Sequence, residues 1–397
     1  MRYKQHSIKV SFSIFLGVLN TVVGASSQGQ VLKERSKLNT KRTSLVHEDF
    51  KVNPLFIDDT GTNETGFRSR ADSDTNILFA NRLNSEISPN SFNLLNGSGV
   101  TLGDYDGDGW CDVFLVAMSG HNKLFRNRGN WQFEETTLTA GFQKAVPYSS
   151  GAVFEDINGD GWLDLLISTF GSGTRTYKNL GNGHFTPLKN PNLESPYGSA
   201  TLALSDVDGD GDLDLYVTNY GLHTMRTQLD LRIRTVRGKP QVVGRYRDYY
   251  KIIEGKLVEY GEPDALFLNN GQGVFQPVSW TDGSFLDEEG KALSHGYRDL
   301  GLSAMFRDIN QDGLPDLYVC NDFQTPDRLW LNQGSGKFRA ISREAIKVSS
   351  YSSMGVDFGD LNRDGHDDFM VVDMLTRTHR LRMTQHVESA PTIQTTG

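Results

Sequence analysis

The sequence predicts an all-β fold, a β-propeller of four-stranded blades, and two observations lead to this prediction. A nine-residue motif rich in Asp and Gly lies between short apolar, β-branched segments in repeats of about 50 residues or twice that. Four short strands per repeat of this length are typical of a propeller blade. The motif occurs five times, beginning at Asp104, Asp156, Asp206, Asp308 and Asp360.

The first repeat shows how one blade is built. Its apolar segments predict strands over residues 99–103, 113–117, 123–127 and 132–137, and the Asp-Gly motif joins the first two strands. Polar, Gly-containing turns separate the remaining strands. The second and fourth repeats follow the same order.

The third and fifth repeats depart from this order. In the third, residues 222–262 separate the second strand from the third, so we expect a long insertion in that blade. In the fifth, no third or fourth strand is evident after residues 369–372. Propellers usually need more blades to close, so the sequence predicts a propeller that is incomplete in this chain, with further blades or domains after residue 397.

The segments around the repeats complete the predicted organisation. Residues 1–25 have a basic start and an apolar run that is short for a bilayer span, which favours a cleaved secretory signal peptide over a membrane anchor. Residues 26–54 are interpreted as a linker, 55–375 as the propeller repeats, and 376–397 as a polar tail of a truncated repeat. Residues 55–67 echo the end of the first repeat, which suggests that an N-terminal strand completes the last blade and closes the ring.

The Asp-Gly motif has the composition of a loop wound around a hard cation. Oxygen side chains stand at positions 1, 3, 5 and 9, and the Gly at position 6 allows the sharp turn that gathers them. The alternative is a set of plain Asp-Gly turns, but so many clustered carboxylates would repel one another without a cation. Position 12 of the first copy is Leu115 rather than Glu, and strands flank it, so the motif is not an EF-hand. We therefore expect Ca²⁺ with a structural role.

The predicted ligands are the side-chain oxygens at positions 1, 3, 5 and 9 together with the backbone carbonyl of position 7. Asn at position 3 lowers the ligand charge of three loops and should weaken them. The ligand sets are Asp104, Asp106, Asp108, Trp110 and Asp112; Asp156, Asn158, Asp160, Trp162 and Asp164; Asp206, Asp208, Asp210, Asp212 and Asp214; Asp308, Asn310, Asp312, Leu314 and Asp316; Asp360, Asn362, Asp364, His366 and Asp368.

The acidity of the chain is concentrated in these loops. The formal net charge is −9, and positions 1, 3, 5 and 9 of the five loops hold 17 carboxylates, so the rest of the chain is net positive. The acidity is therefore interpreted as directed at metal rather than as a general surface property.

The insertion at 222–262 has the opposite character. It carries nine Lys or Arg against five acids, with Tyr246, Tyr249, Tyr250 and Tyr260 interleaved. This composition fits a docking surface for an acidic glycan or protein, while the alternative is a solvated decoration packed on the blade. Nucleic acid is not expected for a secreted protein.

Strand parity assigns the loops and the insertions to different faces. Successive strands of a blade are antiparallel, so the connections between strands 1–2 and 3–4 share one end of the blade. The 2–3 connection and the link to the next blade share the other end. We therefore expect the insertion and a second excursion over residues 280–299 on the face opposite the Asp-Gly loops.

The two cysteines, Cys111 and Cys320, lie in different repeats. A disulfide between them is one alternative and free thiols the other, because sequence does not establish the required approach.

The repeats resemble the FG-GAP/VCBS repeats of integrin α-subunit propellers and of secreted bacterial proteins. Residues 103–109, the Asn-x-Gly-x-Gly-x-Phe pattern at 269–275, and Ser-Met-Gly-Val-Asp at 353–357 are most similar to the branch of cartilage acidic protein and UnbV-type proteins. The resemblance implies a calcium-stabilised propeller of the seven-bladed type that is used for cell adhesion or extracellular binding.

These observations together predict a secreted calcium-binding propeller, at the cell surface or in a periplasm, that acts as an extracellular binding or adhesion module. Its ligand, a protein or glycan, is expected on the face opposite the calcium loops. No nucleophile, zinc or phosphate-binding motif is present, so we do not expect an enzyme. The alternative is an extracellular enzyme that acts on polysaccharide through channel carboxylates, which would leave no sequence motif.

Overall fold

The computed structural model describes residues 46–47, 50–51, 69–81, 94, 97–222, 231–323, 325–342, 345–346, 350 and 352–374. The chain divides into two units, Met1–Ala71 and Asp72–Gly397. In the first unit, β1 (Val46–His47) pairs antiparallel with β2 (Phe50–Lys51). The predicted signal peptide, the echo at 55–67 and the polar tail lie outside the described residues.

The second unit is built from antiparallel sheets that follow one another along the chain, as the repeats predicted. A four-residue helix, α1 (Asp72–Thr75), precedes them. Blade 1 consists of β3 (Val100–Gly103), β4 (Asp112–Leu115), β5 (Lys123–Asn127) and β6 (Phe133–Glu135). Blade 2 consists of β7 (Ser149–Glu155), β8 (Asp164–Thr169), β9 (Gly173–Asn179) and β10 (Phe185–Leu188), and a short 3-10 turn, Pro191–Leu193, follows it.

Blade 3 contains the expected insertion between its second and third strands. The blade pairs β11 (Ser199–Ser205), β12 (Asp214–Asn219), β17 (Ala265–Asn269) and β18 (Phe275–Pro277) in this order. The insertion forms two hairpins of its own: β13 (Arg232–Val236) with β14 (Lys239–Val243), and β15 (Tyr250–Ile253) with β16 (Lys256–Glu259). Pairing of Leu215 with Phe267 shows that the blade continues across the insertion without a gap in the sheet.

Blades 4 and 5 complete the described part. Blade 4 has five strands, with the order β19 (Phe285–Leu286), β23 (Phe338–Ala340), β22 (Arg328–Asn332), β21 (Asp316–Asn321) and β20 (Gly301–Arg307). Blade 5 is the antiparallel pair β24 (Ser353–Gly359) and β25 (Asp368–Asp373). No described helix is long and apolar enough to cross a bilayer. Cys111 is exposed, Cys320 is buried, and both are free thiols.

The first strands of successive blades lie side by side, β3 against β7, β7 against β11, β11 against β20, and β20 against β24. In blades 2 to 5 the pairing of strands 1 and 2 shifts register near the start of the first strand, for example between Ser149 and Gly151. A bulge at this position bends the strand and increases its twist. The same irregularity therefore recurs where neighbouring blades meet.

The hydrophobic core lies between blades rather than within one. Position 2 of each of the first three Asp-Gly loops is a buried apolar residue, Tyr105, Ile157 or Val207. Each packs into a cluster that includes residues of the following blade. The Tyr105 ring, for instance, lies 5.8 Å from the ring of Phe185 in blade 2. Burial of such side chains contributes about 1.5–3 kcal/mol each, so the loops help to hold one blade against the next.

The segment over residues 280–299 is placed differently from the sequence prediction. Its strand β19 pairs in parallel with β23, the outer strand of blade 4, through Phe285 and Phe338. Phe285 is fully buried, and its ring stacks on Trp280 at 4.0 Å. The segment therefore extends the outer edge of blade 4 instead of standing on the face opposite the loops, because an apolar pair within it fills the space beside Trp330. Its last residues reach the insertion, where the amide of Gly261 donates to the carbonyl of Arg298.

A substitution at Gly141 tests the contact between blades 1 and 2. Its φ is +106°, and a Cβ at this position would meet the carbonyl oxygen of Phe185 in blade 2 at 2.3 Å. Gly141→Ala should destabilise the protein by about 3 kcal/mol or more in chemical denaturation, because both backbone strain and a backbone clash oppose the side chain. Gly120→Ala is the matched control, since φ is +95° there but no atom lies within 4 Å of the added Cβ. Equal losses in the two variants would contradict the inter-blade contact.

Candidate metal loops and the opposite face

The five Asp-Gly loops, here numbered loops 1 to 5 in chain order, share one pattern of internal hydrogen bonds. The position 1 carboxylate accepts backbone N–H groups with one oxygen each, as Asp104 does from Asp108 at 3.1 Å and from Gly109 at 2.8 Å. Equivalent pairs occur in loops 2, 4 and 5, and in loop 3 Asp206 accepts the N–H groups of Gly209 and Gly211. The position 5 carboxylate accepts the N–H of position 7 in all five loops. The sequence therefore folds each copy into the same tight turn.

This turn needs a left-handed backbone at two positions. Position 6 is Gly in every loop, with φ between +87° in Gly161 and +94° in Gly211. Position 4 is also left-handed, and in loops 4 and 5 it is occupied by Gln311 and Arg363. The Gly at position 6 is visible in the sequence of every loop, whereas the left-handed position 4 is not, because Gln311 and Arg363 replace Gly there in two copies.

In blades 1 to 4 the position 9 aspartate connects the loop to the third strand of its blade. Asp112 is fully buried and accepts the N–H of Tyr105 at 3.2 Å and that of Asn127 in β5 at 2.7 Å. Burial raises the pKa of Asp112 to about 7 and that of Asp214 to about 6, against the opposing effect of these hydrogen bonds. A nearby cation would favour the charged carboxylate again. The position 9 carboxylate thus binds the backbone of its own blade, a role that the sequence alone does not indicate.

Position 3 divides the loops into two kinds. In loops 1 and 3, three carboxylates per loop bring oxygens within 4.8 Å of one another: Asp104, Asp106 and Asp108, and Asp206, Asp208 and Asp210. In loops 4 and 5 the amide of Asn310 or Asn362 donates to the position 5 carboxylate, and in loop 2 Asn158 donates to Asp164. Oxygen density is therefore highest in loops 1 and 3.

Loops 1 and 3 differ in a neighbouring cation. The guanidinium of Arg126 contacts Asp106 at 2.6 Å and Asp108 at 2.8 Å. In blade 2 the equivalent residue is Lys178, since both cations directly precede the Asn that ends the third strand. Lys178 contacts Asp160 of loop 2 at 3.0 Å. The matching residue beside loop 3 is Leu268. Loop 3 therefore has a carboxylate triad without a basic side chain at this position.

Loop 1 also contains a buried oxygen that lacks a partner. Among the described residues, Oδ1 of Asp106 is buried and accepts no hydrogen bond, although the other oxygen of this carboxylate contacts Arg126. Burial raises the pKa of Asp106 in spite of the arginine. A buried carboxylate oxygen without a partner is costly, and in native proteins it usually has a ligand or a bound ion.

In blades 2 to 4, an asparagine at the end of the third strand donates a hydrogen bond to the loop of the preceding blade. Nδ2 of Asn179 in blade 2 donates to the carbonyl of Tyr105 in loop 1 at 2.7 Å. Asn269 donates to Ile157 of loop 2 at 2.8 Å, and Asn332 to Val207 of loop 3 at 2.9 Å. We call these contacts the asparagine clasp. The recurring Asn is visible in the sequence, but the sequence does not indicate that its hydrogen-bond acceptor lies in the preceding blade.

Each clasping asparagine also bonds within its own blade. Asn332 donates to the carbonyl of Pro315 at 3.2 Å, and its Oδ1 accepts the N–H of Gly334 at 2.8 Å. Asn332 is fully buried. One side chain thus links its own loop, its own 3–4 turn and the preceding loop.

The tryptophans at position 7 lie on the turns beside the loops. The Trp110 ring lies against Gly129, where an added Cβ atom would be 3.2 Å from the ring. The Trp162 ring lies against Gly107 and Gly181, where added Cβ atoms would be 2.9 Å and 2.7 Å from it. Trp162 therefore bridges loop 1 and the 3–4 turn of blade 2. Metal ligation by the position 7 carbonyls stays a prediction.

The insertion is anchored at the opposite end of blade 3 by a buried acid. Glu262 is 1% exposed and accepts the N–H of Gly198 at 2.6 Å and that of Leu222 at 3.4 Å. Arg298 lies over the Tyr249 ring at 4.8 Å. The described hairpins have a small core of their own, with Val242, Tyr246, Tyr250 and Leu257 buried. The insertion is therefore a packed module fixed to the blade.

A cluster of carboxylates lies beneath the end of this face, between blades 3 and 4. Asp264 accepts the N–H of Asn219 and the hydroxyl of Tyr216, and burial raises its pKa to about 8. Asp299 pairs with Arg328 at 2.6 Å. The cavity beside them measures about 10 Å³, room for about one water molecule. The lining of this cavity also includes Trp280, Tyr297 and Trp330.

Comparison with known proteins identifies the repeats. A family model described as FG-GAP-like repeat matches residues 104–167, 156–217 and 308–371. These stretches contain loops 1, 2, 3, 4 and 5, so the family assignment and the loop geometry concern the same residues.

The curated relatives are two cartilage acidic proteins. Cartilage acidic protein 1 of Mus musculus is 28% identical over 103 residues, which is 25% of this chain and 16% of the relative. The protein of that name in Homo sapiens is 27% identical over the same shares. The chain thus matches a small part of each relative.

Two solved structures overlap with the chain at low identity. A lectin of Agrocybe aegerita, described as recognising non-reducing terminal N-acetylglucosamine, is 17% identical with a TM-score of 0.29, covering 68% of this chain and 73% of the lectin. The Vibrio biofilm matrix protein Bap1 (V. cholerae) is 14% identical with a TM-score of 0.32, covering 69% of this chain and 34% of Bap1. No conclusion about ligands follows from overlaps at this level.

The family match, the relatives and the blade architecture agree with the resemblance seen in the sequence. The chain contains FG-GAP-like repeats and has an all-β, propeller-type fold.

Proposed function

We propose that this protein is a secreted, calcium-stabilised propeller that acts as an extracellular binding module, with its ligand site on the face opposite the loops. In this proposal calcium is structural and the insertion of blade 3 supplies the binding surface. Binding, not catalysis, is the proposed activity.

The residues of the loops fit a calcium ion. The oxygen donors at positions 1, 3 and 5 converge within 4.8 Å in loops 1 and 3, and Asp106 has a buried oxygen without a partner. Hard divalent cations prefer carboxylate and carbonyl oxygens of this kind. Calcium would be held by the side chains at positions 1, 3, 5 and 9 and the carbonyl at position 7, and it would supply the positive charge that lets the carboxylates stay together. The asparagine clasp would pass this stabilisation to the next blade.

One observation supports the binding face above others, namely the way the insertion is held. A solvated decoration does not require a buried carboxylate, yet Glu262, the last residue of the insertion, accepts the N–H of Gly198 outside it and that of Leu222, its first residue. An interface that is ordered before its ligand arrives avoids the entropy cost of ordering during binding. The insertion has this property together with a dense exposed charge.

The described carboxylate cluster between blades 3 and 4 favours binding over polysaccharide cleavage. Asp264 and Asp299 are both buried, and the cavity beside them has room for about one water molecule. A sugar ring that had to reach these carboxylates would need to displace Trp280 and Tyr297. This arrangement suits a clasp between blades better than a catalytic cleft.

Removal of the insertion tests the binding proposal. Replacing residues 222–262 with a short Gly-Ser linker should abolish ligand capture on a glycan and extracellular-protein array, while calcium should still raise the unfolding temperature. Asn182→Ala, an exposed change in the 3–4 turn of blade 2 on the loop face, is the control and should keep capture. Unchanged capture by the variant without the insertion would overturn the assignment of the binding face.

A further inference from the structure

The first hairpin of the insertion presents a row of cations on one exposed face. Register pairs Arg234 with Gln241 and Val236 with Lys239, so alternate residues of β13 and β14 share a face. Arg232, Arg234 and Lys239 lie on that face, and Arg237 stands in the two-residue turn with φ +51°. All four are exposed. We call this row the cationic ladder.

The other face of the hairpin holds the ladder in place. Ile233 and Val242 are partners on that face, and Val242 is buried in the core of the insertion with Tyr246, Tyr250 and Leu257. Same-face neighbours along a strand are about 7 Å apart, and residues on paired strands are about 5 Å apart. The charges are thus fixed at a regular spacing by strand geometry and by packing beneath them.

The stretch of sequence that carries the ladder is strongly basic. Residues 231–247 contain six Lys or Arg and no Asp or Glu, whereas the whole chain has a net charge of −9. Arg247 contacts Asp248 at 3.5 Å, beyond the hairpin. Fixed like charges repel one another, and an anionic partner relieves that repulsion. The local charge is opposite to that of the molecule as a whole.

We propose that the cationic ladder binds a linear sulfated polysaccharide. Three of its four cations are arginines, whose weakly hydrated, planar guanidinium groups pair with oxyanions through two parallel hydrogen bonds. Sulfate esters are large and weakly hydrated, so they match arginine better than the strongly hydrated carboxylate does. A polymer with anions at regular intervals can contact several cations of the ladder at the same time.

Two features favour a polysaccharide over nucleic acid. Single-stranded nucleic acid is usually bound by exposed aromatic rings, but Tyr246 and Tyr250 beneath the ladder are buried. A duplex is wider than the hairpin, so most of its phosphates would lie away from the four cations of the ladder. A thin polysaccharide chain needs only the hairpin.

The inference rests on the proposed function, since it names the ligand class for the same face. Its experiment uses the full chain in calcium with heparin as the probe, measured by calorimetry across a salt series. Arg234→Glu with Lys239→Glu should lower heparin affinity at least about tenfold and flatten its salt dependence, because like charges then face the polymer. Arg234→Ala with Lys239→Ala should give an intermediate loss with unchanged thermal unfolding.

The matched control makes the same charge change elsewhere in the insertion. Arg247→Glu with Lys256→Glu alters two exposed cations outside the ladder and should change affinity less than about threefold. Equal losses in both reversals, no heparin binding by the unaltered protein, or equally tight binding of polygalacturonate or duplex DNA would each overturn the inference. If the array showed ligand capture that requires the insertion while heparin did not bind, the proposed function would stand and only the ladder inference would fail. The two outcomes are therefore distinguishable.

Discussion

Chelation of calcium should lower the unfolding temperature of this protein by about 10 °C or more, the largest effect we expect from any change of conditions. A ligand present at a hundredfold excess over its dissociation constant stabilises the folded state by about 2.7 kcal/mol per site. For domains of 150–250 residues each kcal/mol shifts the midpoint by about 2–4 °C. Two or more occupied loops therefore account for the expected shift, which calorimetry with calcium and with EDTA would measure.

Loop 3 offers the sharpest control for this experiment. Asp208→Asn gives loop 3 the position 3 residue of loops 2, 4 and 5 and should remove part of the calcium-dependent shift. Asp212→Asn removes one charge from the same loop at a side chain that is not a predicted ligand, so it should leave the shift nearly unchanged. An unfolding temperature that does not respond to EDTA, or equal effects of the two variants, would contradict calcium binding in these loops.

Asn332→Ala should destabilise the protein by about 3 kcal/mol or more, the largest effect we expect from one side chain. The change leaves the buried carbonyl of Val207 and the half-buried carbonyl of Pro315 without their donor, and the N–H of Gly334 without its acceptor. A buried group that loses its partner costs about 1–3 kcal/mol. Urea unfolding of the variant in saturating calcium would measure the loss.

Asn182→Ala is the control for the clasp. Asn182 accepts one hydrogen bond, from His184 at 3.2 Å, and it is exposed, so its loss should cost less than about 1 kcal/mol. Because Asn332 contacts loop 3, its variant should also show a smaller change on chelation than Asn182→Ala does. If both variants were equally stable, the clasp would have no energetic role.

Local patterns made the repeating part of the fold predictable. The predicted strand over residues 123–127 matches β5, and β17 and β22 are the equivalent strands of blades 3 and 4, since a short apolar run ends at an Asn-x-Gly turn in each. The insertion in blade 3 was also predicted, because the spacing between loop 3 and the next Asn was too long for a turn. In these cases the structural cause lies within a few residues of the signal.

Contacts between distant residues were not predictable in the same way. The bond from Asn269 to Ile157 spans 112 positions, and nothing near either residue indicates the other. The placement of β19 on blade 4 depends on the fit of Phe285 beside Trp330, which strand parity does not describe. The approach of Arg126 to Asp106 and Asp108 likewise required side chains from two strands.

The asparagine clasp gives the chain a direction of assembly. Each clasp donor belongs to the later blade and each acceptor to the earlier one, so a newly synthesised blade meets an acceptor that is already folded. Domains form from the N-terminal end during synthesis, and arrays of repeats gain stability from each neighbour interface. We expect the blades to fold one after another during synthesis, and each blade to pack against the loop of the blade that folded before it.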